Sequence, residues 1–118
     1  MDKTKELLKT IVEGLQEKKR KDIKSLDFAN INNAVCKFFV ICHGDSNTHV
    51  NALANSVEEF ARERANTKLW RKEGLERAEW IVLDYSDIVV HIFQRSIREY
   101  YKLEDLWADC KVIEFKEN

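Results

Sequence analysis

Trp80-Ile81-Val82-Leu83-Asp84-Tyr85-Ser86-Asp87-Ile88-Val89-Val90-His91-Ile92-Phe93 decides the fold. Two apolar runs, 80–85 and 88–93, flank the polar pair Ser86-Asp87, so they read as a β-hairpin. Both faces of both strands are apolar, which calls for a sheet covered on both sides. A two-residue turn sets Asp84 opposite Val89. His91 then lies diagonally across, on the face that also carries Trp80, Val82 and Asp84.

The same pattern recurs upstream. From Val35 to His43, Cys36, Phe38, Val40 and Cys42 occupy one parity, and Phe39 and Ile41 the other. This is a second buried strand. Gly44-Asp45-Ser46-Asn47 ends it and opens a helix, with Asp45 or Ser46 as N-cap. Val50, Leu53, Ala54, Val57, Phe60 and Ala61 form that helix's inward stripe. An earlier helix over 3–19 is marked by Leu7, Leu8, Ile11, Val12 and Leu15. It contains Gly14 at a cost of roughly 1 kcal/mol relative to Ala. Residues 22–28 alternate, as a half-buried strand near a sheet edge does. A short strand over 68–72 precedes the Glu73-Gly74 turn. A last helix spans 95–108, and the tail 109–118 either adds a short strand or stays loose. The order is helix, two strands, helix, three strands, helix. It predicts one α/β domain over 1–118: a mixed sheet of about five strands with helices on both faces.

The totals set limits on function. With 118 residues, 44% apolar and 35% charged, the chain suits one globular domain. A net charge of −1 argues against DNA or RNA as the principal ligand. The basic run Lys18-Lys19-Arg20-Lys21 with Lys24 allows at most an auxiliary contact to RNA phosphates. No apolar run reaches the ~18 residues of a membrane span. The polar N-terminus has no signal-peptide pattern. Cys36, Cys42 and Cys110 are odd in number and lack a Cys-x-x-Cys pair. They read as reduced thiols of a cytoplasmic protein.

Candidate chemistry is thin. Ser46, Asp84 and His91 occur in the chain order of an α/β-hydrolase triad, but Gly44-Asp45-Ser46-Asn47-Thr48 lacks the second glycine of a nucleophile elbow. Ser46 reads as a helix cap. Asp84 and His91 read as a structural hydrogen bond tying the hairpin. Gly44-Asp45-Ser46 also suits a nucleotidyltransferase helix start, yet no Asp-x-Asp follows to hold metal. Cys36, Cys42, His43 and His49 match no zinc spacing. No metal or cofactor is expected.

The 95–108 helix is richer. Drawn at 100° per residue, Ile97, Tyr100, Tyr101, Leu103, Leu106, Trp107 and Cys110 sweep roughly 220°, more than docking on one core requires. Tyr and Trp are also favoured at binding hot spots. An edge that meets another protein follows.

Taken in order, Val40-Ile41-Cys42-His43-Gly44-Asp45-Ser46, Glu73-Gly74, Trp80-Ile81-Val82-Leu83-Asp84, Asp87-Ile88-Val89-Val90-His91-Ile92-Phe93 and Arg98-Glu99-Tyr100-Tyr101-Lys102-Leu103-Glu104-Asp105-Leu106-Trp107 resemble the ribosomal silencing factor S (Iojap-like) family over about residues 5–107. The resemblance implies a nucleotidyltransferase-like fold without catalytic carboxylates and a homodimer. It also implies a translational repressor that binds the large ribosomal subunit at large-subunit ribosomal protein fourteen and sterically blocks the small subunit. Trp80, Tyr101, Leu103, Leu106 and Trp107 are then the apolar anchors. Asp84, His91, Arg98, Glu104 and Asp105 are the polar members of the same ribosome or dimer surface. The enzymatic alternative is a degenerate nucleotidyltransferase or small hydrolase acting through Ser46, Asp84 and His91.

Overall fold

The hairpin forms where the sequence puts it. In the computed structural model, which describes residues 3–17, 22–29, 31, 36–106 and 110–115, β4 (Trp80–Asp84) pairs antiparallel with β5 (Ile88–Gln94), and Asp84 faces Val89. β5 then pairs with β2 (Phe38–Gly44), in parallel. β1 (Ile23–Asp27) is antiparallel to β2, and a three-residue β3 (Arg71–Glu73) closes the far side of β4. The predicted 68–72 strand is thus shifted to 71–73.

The tail supplies β6 (Lys111–Phe115), antiparallel to β1. The sheet order is β3-β4-β5-β2-β1-β6, six strands instead of about five. β1 therefore lies next to a sheet edge, as predicted, and the tail forms the edge strand itself. The backbone groups β1 offers outside β2 are taken by the tail.

Alternation along the strands divides the sheet into two faces. On one, Ile81, Leu83, Ile88, Val90, Ile92, Val40 and Cys42 are fully buried. They pack under α1 (Lys3–Glu17) and α2 (Asn47–Arg64). The two helices approach closely at Gly14. A Cβ there would lie 3.2 Å from Ser56 O and 3.3 Å from Phe60, and the Ser56 hydroxyl donates to Gly14 O at 2.8 Å. Close helix packing thus offsets the propensity cost of glycine.

The opposite face carries Phe39, Ile41, Leu26 and Phe93 in a smaller second cluster with Phe28. Ile97 and Leu103 pack on it from α3 (Arg95–Tyr101) and α4 (Leu103–Leu106). The predicted continuous helix over 95–108 is thus broken. Lys102 adopts a left-handed conformation with φ 48°, and its N–H bonds to Arg98 O at 2.9 Å. A left-handed residue at this position is a common way for a helix to end. The turn redirects Leu103 onto the second cluster. The single-helix arc drawn from the sequence therefore does not describe this segment.

Candidate partner-binding surface

Trp80 is the base of the site. It begins β4 on the less covered face, directly across from Phe93. Its indole ring sits 4.8 Å from Phe93 and 5.1 Å from Tyr101, centroid to centroid. Its Nε1–H donates to His91 Nδ1 at 3.1 Å. Indole only donates, so Nδ1 is the acceptor and the imidazole proton resides on Nε2. His91 is buried, and burial pushes its pKa down to about 4, leaving the ring neutral at pH 7. Its Nε2 finds no hydrogen-bond partner among the described residues, and the ring meets Phe39 edge to face at 4.5 Å.

An exposed rim rises from that base. Tyr101 is 51% exposed, Tyr100 79% and Leu106 72%. The two tyrosine rings meet edge to face at 5.1 Å, a favourable arrangement. The break at Lys102 separates Leu106 from the tyrosines' helix. Leu103, by contrast, is half-buried on the second cluster and supports the rim from beneath.

The other predicted contact residues disperse. Asp84 stands at the far end of β4, about 13 Å from Trp80 at the ~3.3 Å rise of a strand. Its Oδ1 accepts the Ser86 N–H at 2.7 Å, holding a turn in which Ser86 has φ 74°. The predicted Asp84–His91 hydrogen bond does not form, because His91 accepts from Trp80. Arg98 is not on the rim either. It is 7% exposed, and Nη1 donates to Asp22 O at 2.8 Å and to His43 Nδ1 at 2.9 Å. Asp105 is exposed and borders the cavity over Arg98. Trp107 lies outside the described residues, as do the side chain of Glu104 and the basic run 18–21.

Ser46 performs the capping expected of it: its Oγ accepts the His49 N–H at 3.1 Å. Ser46, Asp84 and His91 thus each serve a separate local structure, and they do not bond to one another. None of the three cysteines is in a disulfide. Burial pushes Cys36 up to about 11, far from a reactive thiolate. No three His, Cys, Asp or Glu side chains converge on a metal position among the described residues. None of the described helices is long and apolar enough to cross a membrane.

Sequence reasoning counted Tyr100 in the apolar arc but left it out of the anchors, and it did not single out Phe93 as a partner of Trp80. The signal for the second was present, since a two-residue turn at Ser86-Asp87 pairs 80 with 93.

This architecture has close counterparts. Residues 1–118 match the family described as "Ribosomal silencing factor during starvation". The chain belongs to that family. A relative from Halalkalibacterium halodurans, "Ribosomal silencing factor RsfS", is 37% identical over 111 residues, covering 94% of this chain and 93% of its own. The Bacillus subtilis protein of the same name is 37% identical over 106 residues, covering 90% and 88%. A crystal structure from Chromobacterium violaceum, 37% identical, superposes with a TM-score of 0.84 over 92% of this chain and 88% of that one. Family membership therefore rests on the whole length of the fold rather than on the hairpin alone.

Proposed function

We propose that this protein represses translation by binding the large ribosomal subunit, with large-subunit ribosomal protein fourteen as its contact, and keeping the small subunit away. No chemical step is involved. The observation that carries the reading is the exposed rim of Tyr100, Tyr101 and Leu106, with Tyr101 seated on Trp80, which Phe93 and His91 hold in turn. A rigid aromatic edge loses little entropy on docking and supplies the residue types that dominate binding energy. Family membership supports the ribosome as the partner. The protein acts in the cytoplasm and forms a homodimer. The enzymatic reading through Ser46, Asp84 and His91 has no support in the geometry, because each side chain is committed elsewhere.

Co-sedimentation with separated ribosomal subunits tests this. The protein pellets with the large subunit and stays in the supernatant with the small one. Tyr101→Ala weakens large-subunit binding by about 2 kcal/mol, the lower bound of a hot spot, while the protein stays folded. Undiminished binding and undiminished block of subunit joining by folded Tyr100→Ala and Tyr101→Ala variants would remove the rim from the reading.

A further inference from the structure

Parallel pairing brings the carboxyl ends of β2 and β5 to one edge, where His43-Gly44 lies beside Phe93-Gln94. In open α/β sheets this is where ligands bind. A cavity of about 430 Å³ opens here, and the cations Lys24, Arg95, Arg98 and Lys102 line it with His43. The aromatic rim plays no part in it, since none of Trp80, Tyr100, Tyr101 or Leu106 lines it.

Arg98 is the built element of the cavity. The residue, with its planar guanidinium group, is 7% exposed. It is held by two neutral acceptors from different segments: Asp22 O ahead of β1, and His43 Nδ1 at the end of β2. Guanidinium has no acceptor, so His43 must present its lone pair. The planar fork is thereby fixed in orientation before any ligand arrives. Such a fork matches the oxygens of a carboxylate or phosphate better than an ammonium does.

The charge count narrows the ligand. Four cations face the carboxylates of Asp22, Glu99 and Asp105, and Lys24 Nζ also lies 3.8 Å from Glu114 Oε1, so the lining is close to charge balance. Such a lining, with Arg98 as its buried cation, suits a ligand of low charge, a single phosphate group. A polyphosphate brings more negative charge than the lining offsets.

We infer that this cavity binds one phosphate group, either a phosphodiester of an RNA backbone or the phosphate of a small free ligand. Arg98 sits at its floor, and Lys24 and Lys102 stand at its mouth. The site needs no ribosomal protein and stands apart from the docking rim. It is also consistent with a chain of net charge −1, because one clamped phosphate is an auxiliary contact and not a nucleic-acid-binding face.

The test is a titration of the full chain, followed by backbone amide NMR at low salt. One arm uses inorganic phosphate and the other a short single-stranded oligouridylate. Saturable shifts at Lys24, His43, Gly44 and the 95–102 segment are expected. A Lys24→Ala/Lys102→Ala double variant, both near the surface, loses about tenfold in affinity, on the order of one charge-assisted hydrogen bond. Arg98→Lys keeps the charge, loses the fork and also weakens binding. If that variant fails to fold, the double variant still decides. Tighter oligouridylate binding, competed by phosphate and with a log–log salt slope of about −0.7, identifies one backbone phosphate as the ligand. Saturable binding of phosphate alone identifies a small free ligand. Absence of saturable shifts with both probes overturns the site. So do shifts unchanged in the double variant, or a slope several times steeper, which places binding elsewhere.

Discussion

The two faces of the β4–β5 hairpin differ although they are made by alternate residues of the same strands. Under α1 and α2, Ile81, Leu83, Ile88, Val90 and Ile92 are wholly buried. On the other face, Trp80, Val82, Asp84 and Val89 are only half-buried, and His91 and Phe93 alone are shut away. Two full-length helices cover the first face. The second receives one seven-residue helix and one four-residue helix. The covered face holds the molecule together. The other is complete only at its centre and runs outward into exposed tyrosines. A sheet that spends one face on stability can use the other for recognition.

The sharpest way to break this contrast uses neighbours in sequence. Ile81 and Trp80 are adjacent and point to opposite faces. Ile81→Ala removes a fully buried side chain from the covered core and destabilises by about 2–5 kcal/mol, read from urea midpoints. Its folded fraction binds the large subunit as wild type does. If Ile81→Ala weakens binding by the folded protein as much as Tyr101→Ala does, the two faces are not separable and the contrast fails.

His91 gives the next largest effect. Its folded-state pKa is about 4 against an ordinary 6.5, and burial is the cause. Between those values the unfolded chain binds more protons than the folded one. The His91 contribution is therefore complete above pH 6.5 and is lost as pH falls towards 4, levelling off below. The full loss is on the order of 3 kcal/mol, from 1.36 kcal/mol per unit. His91→Gln keeps an acceptor for the Trp80 indole and does not titrate. The difference in stability between the two proteins should change across pH 6.5 to 4 by that amount. Parallel curves would show that His91 is hydrated and that the second face is open to its centre.

Much of this was legible in the chain. Strands β2, β4 and β5 announce themselves because both parities are apolar, and Ser46 because a serine after a buried strand caps the next helix. The break at Lys102 was not legible. Tyr100-Tyr101-Lys102-Leu103-Glu104-Asp105-Leu106 contains no Gly or Pro, and its local propensities permit one helix. Docking of Leu103 on the second cluster is tertiary. Val112-Ile113-Glu114-Phe115 is too short to declare itself a strand, and the edge of β1 makes it one. The partner of His91 was undecidable from register alone, since Trp80 and Asp84 are both diagonal to it. Environment decides between them: Asp84 lies beside an exposed turn whose Ser86 N–H claims it, while the Trp80 indole N–H reaches Nδ1 of the buried ring. Arg98 read as a surface group because nothing local distinguishes an arginine that snorkels outward from one that reaches two backbone segments away.

The smallest effect concerns α2, the helix that lies across the covered face. Ser46 Oγ satisfies the His49 N–H, one of the four donors left over at a helix start. Ser46→Ala costs about 1 kcal/mol by removing that acceptor. Ser46→Asn or Ser46→Asp restores most of it, since each can accept the same N–H. All three variants keep full large-subunit binding, because the cap faces neither the rim nor the phosphate cavity. A nucleophilic serine behaves differently. Asn and Asp would be as inactive as Ala in any serine-dependent reaction, whatever they did for the helix. Rescue of thermal stability by Asn and Asp, with silencing unaffected by any of the three, assigns Ser46 to the scaffold. Silencing lost equally in all three, with stability rescued in two, would give Ser46 a functional role outside the scaffold.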